Sequence, residues 1–171
     1  ASHGSFVAFL DSDDFWHAEK LQQHFDHLCN DPEIGVSYSA SAFVDDNSVA
    51  MGIGQNPKTK NITSEDILCR NPIGNGSAPV IRRIALAQIA FKQEVNGEIR
   101  TAYFDETFRQ SEDIECWLRM ALTTSWKFEG IKQALSYYRV NSGGLSANLS
   151  KQYESWERAI QNNLPGNIAF F

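Results

Sequence analysis

The sequence holds no apolar run that approaches the ~20 residues needed to cross a bilayer. Its first residues, ASHGSFVAFLDSDD, show neither the basic start nor the small-residue cleavage site of a signal peptide. The expected location is therefore cytoplasmic. Cysteine is scarce: Cys29, Cys69 and Cys116 are odd in number, far apart, and form no CxxC or Cys/His pairing. Buried free thiols are expected in place of a disulfide or a zinc site. Positive charge is also short, with Lys plus Arg at 15 against Asp plus Glu at 21 and a formal net charge of −6. Such a chain offers no field for a phosphate backbone, which excludes nucleic acid as the expected partner. Repeats and low-complexity tracts are missing too. What remains is globular composition, with 42% hydrophobic, 12% aromatic and 21% charged residues over 171 positions. A domain of that length buries roughly 70% of the surface its unfolded chain exposes.

The apolar run Phe6–Leu10 stops abruptly at Asp11-Ser12-Asp13-Asp14, as a buried strand delivering carboxylates to a loop would. From His17 to Asn30, Leu21, Phe25 and Leu28 recur at helical spacing, and Pro32 follows, so an amphipathic helix is predicted there. Ile34–Val44 alternates and is rich in β-formers. Strand, helix, strand in that order predicts an α/β sheet. Residues 45–62 read as loop with a short strand at 49–53. Thr63 or Ser64 caps a short helix that Asn71-Pro72 ends. A strand is expected at 77–81, a helix at 82–91, and a polar, mobile segment at 92–101. Ser111 is the expected N-cap of a helix over 112–123, whose apolar stripe is Ile114, Trp117, Leu118 and Ala121. Residues 126–140 read as a strand broken near 130–132, 141–146 as a glycine-containing loop, and 150–162 as a last amphipathic helix.

Two acidic clusters are the candidate chemistry. Asp11, Asp13 and Asp14 sit where an open α/β sheet places its ligand crevice, and alternating carboxylates on a turn can grip Mg²⁺ while leaving positions for a diphosphate. An acidic turn that merely caps the next helix fits the spacing equally well. Glu112 and Asp113 fill a first helical turn, which the helix dipole favours whatever their role, and which predicts a low basicity for Asp113. An EF-hand beginning at Asp11 fails, because its sixth and twelfth positions hold Trp16 and Gln22. His17, His24 and His27 complete no metal shell and are expected to face solvent.

Together these segments resemble the family 2 glycosyltransferases, the inverting group with the GT-A fold. The resemblance rests on Gly4-Ser-Phe-Val-Ala-Phe-Leu-Asp-Ser-Asp-Asp-Phe-Trp-His-Ala-Glu-Lys-Leu21, the Phe104-Asp105-Glu106 turn, Glu112-Asp113-Ile-Glu-Cys-Trp-Leu-Arg119, and Leu135-Ser-Tyr-Tyr-Arg139 with Leu145-Ser146. It covers nearly the whole chain, most loosely over 45–100. It implies a three-layer, Rossmann-like α/β sandwich with a mixed sheet. Asp13, with Asp11, would hold Mg²⁺ or Mn²⁺ against the diphosphate of a nucleotide-sugar donor, a UDP-sugar by preference. Asp11, Asp14 and Arg139 would contact the donor. Asp113 would be the base that deprotonates an acceptor hydroxyl, with Glu112 beside it.

The implied acceptor is a saccharide or a lipid-linked saccharide, as in bacterial polysaccharide synthesis, with peripheral association of the enzyme at the inner face of the membrane. Relatives often carry His where this chain has Asn141. They also place a base-binding βαβ portion ahead of the D-x-D strand, which here starts within the first ten residues. Residues 1–171 are accordingly expected to be one partial domain, the C-terminal part of a catalytic domain, with an exposed sheet edge able to pair with a second copy. Two alternatives stay open. One is a magnesium-dependent phosphatase of haloacid-dehalogenase type, against which stand Phe15 and the lack of a downstream Gly-Asp-x-x-x-Asp element. The other is a non-catalytic glycosyltransferase-like binding domain.

Overall fold

The computed structural model describes residues 3–141 and 149–163. The elements run β1 (Phe6–Ala8), β2 (Phe15–Trp16), α1 (Lys20–Asn30), β3 (Ile34–Val44), β4 (Ala50–Gln55), α2 (Ser64–Cys69), β5 (Val80–Arg82), α3 (Arg83–Gln88), β6 (Phe91–Val95), β7 (Glu98–Ala102), α4 (Glu112–Thr123), β8 (Lys127–Arg139) and α5 (Leu149–Asn163). This is the mixed α/β architecture that the strand–helix–strand order predicts.

The main sheet has strand order β1-β5-β3-β8-β2, with β4 pairing the far end of β3. β3 runs parallel to β8 and antiparallel to β5 and β4, and β1 is antiparallel to β5. β1, β3 and β8 therefore point the same way. Their C-terminal ends bring Asp11, Val44 and Arg139 to one edge of the sheet, where open α/β sheets collect ligands. β3 is central and buried along most of its length, so its near-continuous small and apolar sequence suits a strand covered on both faces. On one face Val36 and Tyr38 join Ile67, Ile81, Leu86, Trp117, Leu118, Met120 and Phe128 in the main core. On the other, Ser37 lies under α1.

The predicted break near 130–132 is a bulge within a continuous strand: Ser39 pairs with Ile131 but Ala40 with Ala134. The tract 92–101, expected to be mobile, is instead the hairpin β6–β7, turning on Asn96-Gly97 with φ of 53° and 82°. That dipeptide is a strong hairpin signal, because both central residues of a tight type I′ turn need positive φ. α2 has the capping box expected of Thr63, closed by Asp66. Ser111 precedes α4 as expected but sits at φ 61°, and its side chain accepts no capping hydrogen bond.

Two expectations about polar groups are corrected. His24 does not face solvent but is fully buried, and only Cys116 of the three thiols is buried, Cys29 and Cys69 being exposed. His24 lies on the inward stripe of α1 with Leu28, and the helix presents Leu21 and Phe25 to the surface instead. Residues 142–146 of the predicted glycine loop, and Leu145-Ser146 of the resemblance, lie outside the described residues. Among the described residues no helix is long and apolar enough to cross a membrane.

Candidate functional site

The Asp11–Asp14 turn is fastened through its main chain and the Asp14 carboxylate. Asp14 N–H donates to the Asp11 carbonyl at 3.2 Å, Asp11 N–H to Ser77 Oγ at 3.0 Å, and Asp14 Oδ1 accepts Arg139 N–H at 2.9 Å. Phe15 stacks on Tyr137 at 4.6 Å, which docks the turn on β8. Asp11 and Asp13 are exposed, whereas Asp14 is buried and its Oδ2 has no hydrogen-bond partner among the described residues. Burial, then the charges of Asp14, Asp13 and Glu112, raise the Asp11 carboxyl above its usual range, partly offset by Ser77. The Asp14 carboxyl is raised as well, by burial first, with Ser77 and Arg139 opposing.

Arg139 faces this turn but its guanidinium is engaged. Nε donates to the Asp13 carbonyl at 2.9 Å, Nη1 to the Asp45 carbonyl at 2.5 Å and Nη2 to Ser48 Oγ at 2.8 Å. It thus ties the acidic turn to the loop after β3. Asn141 Nδ2 lies 3.3 Å from Asp13 Oδ2.

The second cluster opens α4. Asp113 Oδ1 accepts Ile114 N–H at 2.8 Å and Oδ2 accepts Asn71 Nδ2 at 3.1 Å. Burial pushes its carboxyl up to about 6; the Glu112 charge adds to this, while the Ile114 and Asn71 bonds oppose it. This corrects the expectation of low basicity. Desolvation of the charged form outweighs the favourable helix N-terminus. α4 is held behind the cluster by Arg119, which pairs with Glu115 at 2.8 Å and donates to the carbonyls of Ile89 and Tyr103.

The segment Asn71–Ser77 joins the two clusters. Asn71 bonds Asp113, and Ser77 bonds Asp11. Between them, a Cβ at Gly76 would stand only 3.0 Å from Asp11 Oδ2, so this position keeps the loop close to the carboxylate. In the sequence these residues read as a helix stop and a flexible stretch. Asn71-Pro72 carries a local turn signal, but nothing local marks its amide as the partner of a carboxylate 42 residues away. Beside Asn71 a cavity of about 420 Å³ opens between β4 and α2, lined among others by Phe43, Gln55, Lys58, Arg70 and Pro72.

No group of three His, Cys, Asp or Glu side chains arranged for a metal occurs among the described residues. A structural cage is thus not built. The residues do fit a cation that keeps substrate among its ligands, since Mg²⁺ is commonly held through one or two carboxylates plus phosphates. The crowded negative charge on Asp11, Asp13 and Asp14 and the orphaned Asp14 Oδ2 favour such an ion.

No known family model matches the chain. It is 27% identical over 149 residues to UDP-Glc:alpha-D-GlcNAc-diphosphoundecaprenol beta-1,3-glucosyltransferase WfaP of Escherichia coli, covering 87% of this chain and 51% of that protein. The chain therefore spans about half the length of that curated relative. Among solved structures it resembles S. aureus TarS 1-349 in complex with UDP-GlcNAc, with a TM-score of 0.61 and 19% identity over 95% of this chain and 44% of that one. The complex of the same protein with UDP gives 0.58 at 19% identity, over 95% of this chain and 42% of that one. The fold is shared with TarS. These similarities do not favour the phosphatase alternative.

Proposed function

We propose that the chain forms the metal- and acceptor-facing part of an inverting, GT-A-type family 2 glycosyltransferase, which moves a sugar from a UDP-sugar onto a hydroxyl of a saccharide or lipid-linked acceptor. The observation that carries this reading is the convergence of both acidic clusters on the Asn71–Ser77 segment. The similarity to WfaP supports it. In-line displacement at an anomeric carbon needs a base on one side and charge stabilisation of the leaving diphosphate on the other.

Asp113 suits the base. Its carboxyl, raised to about 6, is ionised at neutral pH yet more basic than an ordinary aspartate. Asn71 and the Ile114 N–H orient it, each occupying one oxygen and leaving a lone pair on both for the acceptor hydroxyl proton. Glu112 stands exposed beside it, placed to contact acceptor hydroxyls. Asp13 and Asp11 would hold Mg²⁺ or Mn²⁺, which when bound supplies positive charge against the donor diphosphate. Arg139 orders the turn from behind and offers its remaining N–H groups to the donor.

Calorimetric titration of UDP into the protein at its full native length, with and without Mn²⁺, tests the reading. Metal-dependent binding that Asp13→Ala removes is expected; UDP binding indifferent to both metal and Asp13 overturns it.

A further inference from the structure

Beneath the acidic turn lies an ammonium group with no carboxylate partner among the described residues. Lys20 of α1 is fully buried. Its Nζ donates to the Ala78 carbonyl at 2.6 Å, to Ser136 Oγ at 3.1 Å and to His24 Nε2 at 3.2 Å, and it lies 5.6 Å from the centre of the Trp16 ring. Three N–H donors meet three acceptors, which is the full capacity of the group. A buried ammonium without a counter-ion is unfavourable, and desolvation lowers the Lys20 pKa to about 7. Filling space alone needs no charge, since methionine has nearly the same shape.

The acceptors show what the charge holds. Ala78 and Ser136 belong to two segments far apart in sequence, the approach to β5 and the C-terminal part of β8. Ser136 passes the connection on by donating to the Ser77 carbonyl at 3.1 Å, which also accepts Trp16 Nε1 at 2.9 Å. The hydroxyl of that same Ser77 accepts the Asp11 N–H. From Lys20 to the Asp11 main chain the path is thus unbroken, and it runs through the segment that also reaches Asp113.

On its other side Lys20 ends a chain whose proton positions follow from counting once its ammonium is charged. With Lys20 charged, His24 Nε2 accepts, so Nδ1 carries the proton and donates to Ser37 Oγ at 2.7 Å. The Ser37 hydroxyl then donates to His27 Nδ1 at 2.8 Å. His27 Nε2 finally faces Glu129 at 3.6 Å, which Lys60 pairs at 2.7 Å near the surface. Every member has one role consistent with its neighbours.

We infer that Lys20 is a positioning residue: through Ala78, Ser136 and Ser77 its ammonium sets the place of the Asp11 main chain, and with it the carboxylates of the acidic turn. α1 contributes no group to the acidic clusters, yet it holds the segment on which both converge.

Lys20→Met, read by amide hydrogen exchange on the protein at its full native length, separates this from space-filling. The Asp11 amide is expected to exchange about tenfold faster than in the parent, beyond any change at the Tyr38 and Ala40 amides of β3. Uniform acceleration across these amides, or none, overturns the inference. Ser77→Ala supplies a second arm should the first variant fold poorly. It leaves the three Lys20 bonds in place and removes the Asp11 acceptor, so the Asp11 amide alone should lose protection; protection retained there overturns the proposal. In the parent, the Lys20 Nζ resonance at pH 6 should be slow to exchange, and an Nζ signal averaged with solvent counts against it. None of these readings depends on sugar transfer.

Discussion

The two acidic clusters are fastened in opposite ways. In the Asp11–Asp14 turn the main chain is bound, through Asp11 N–H, Asp14 N–H and the Ser77 hydroxyl, while the side chains of Asp11 and Asp13 stay exposed. At the start of α4 the side chain itself is bound, each oxygen of Asp113 taking one donor. A group that shares a hard cation with a phosphate needs free oxygens and crowded negative charge. A general base needs one orientation and a raised pKa. The contrast between turn and helix is the one that the two proposed roles require of the same kind of side chain.

The sharpest way to break that contrast is to neutralise one side at a time. Asp113→Asn should lower turnover by about 10²- to 10⁴-fold with UDP affinity little changed. Asp13→Ala should instead lose metal-dependent UDP binding, measured by calorimetry. A variant of either residue that lost both properties equally would end the division of roles.

Stability gives the next largest difference. The folded Asp113 carboxyl titrates near 6 against a reference value of 3.8. Its stabilising contribution is thus complete below about pH 3.8 and gone above about pH 6. Relative to the parent, Asp113→Asn should therefore gain stability as the pH rises from 4 to 7, by about 2 kcal/mol. Urea denaturation should show the gain at pH 7 shrinking at pH 4. Asp11→Asn, at an exposed position, should gain less.

The smallest effects concern the joining segment. Asn71→Ala removes a bond that lowers the Asp113 pKa, so the acidic limb of the pH–rate profile should move up by a fraction of a pH unit. Gly76→Ala crowds Asp11 Oδ2 instead. It should weaken UDP binding in the presence of Mn²⁺ by a few fold and leave that limb where it is.

Much of the fold was legible because hydrophobic period and local caps act over a few residues. The bounds of α4, the run of β-formers in β3 and the Thr63 cap of α2 are of this kind. The hairpin on Asn96-Gly97 was equally local, and the polarity of its flanks concealed it. Both acidic clusters were visible as residue types in suggestive places. Their joining segment was not, because Asn71, Gly76 and Ser77 act on carboxylates 42 to 66 residues away only once β1, β5 and α4 are packed.

The sequence by itself thus determined which elements form and where carboxylates gather, since propensity, periodicity and dipole are properties of neighbours along the chain. Tertiary structure alone decided the protonation and placement of those groups. Lys20 and His24 read as ordinary residues of an amphipathic helix, and their burial makes them part of the site's foundation. Asp113 read as a helix-start carboxylate of low basicity, and packing reversed the sign. The reason is the same in both cases: desolvation is set by what surrounds a group in three dimensions, and near a charge it outweighs what local sequence supplies.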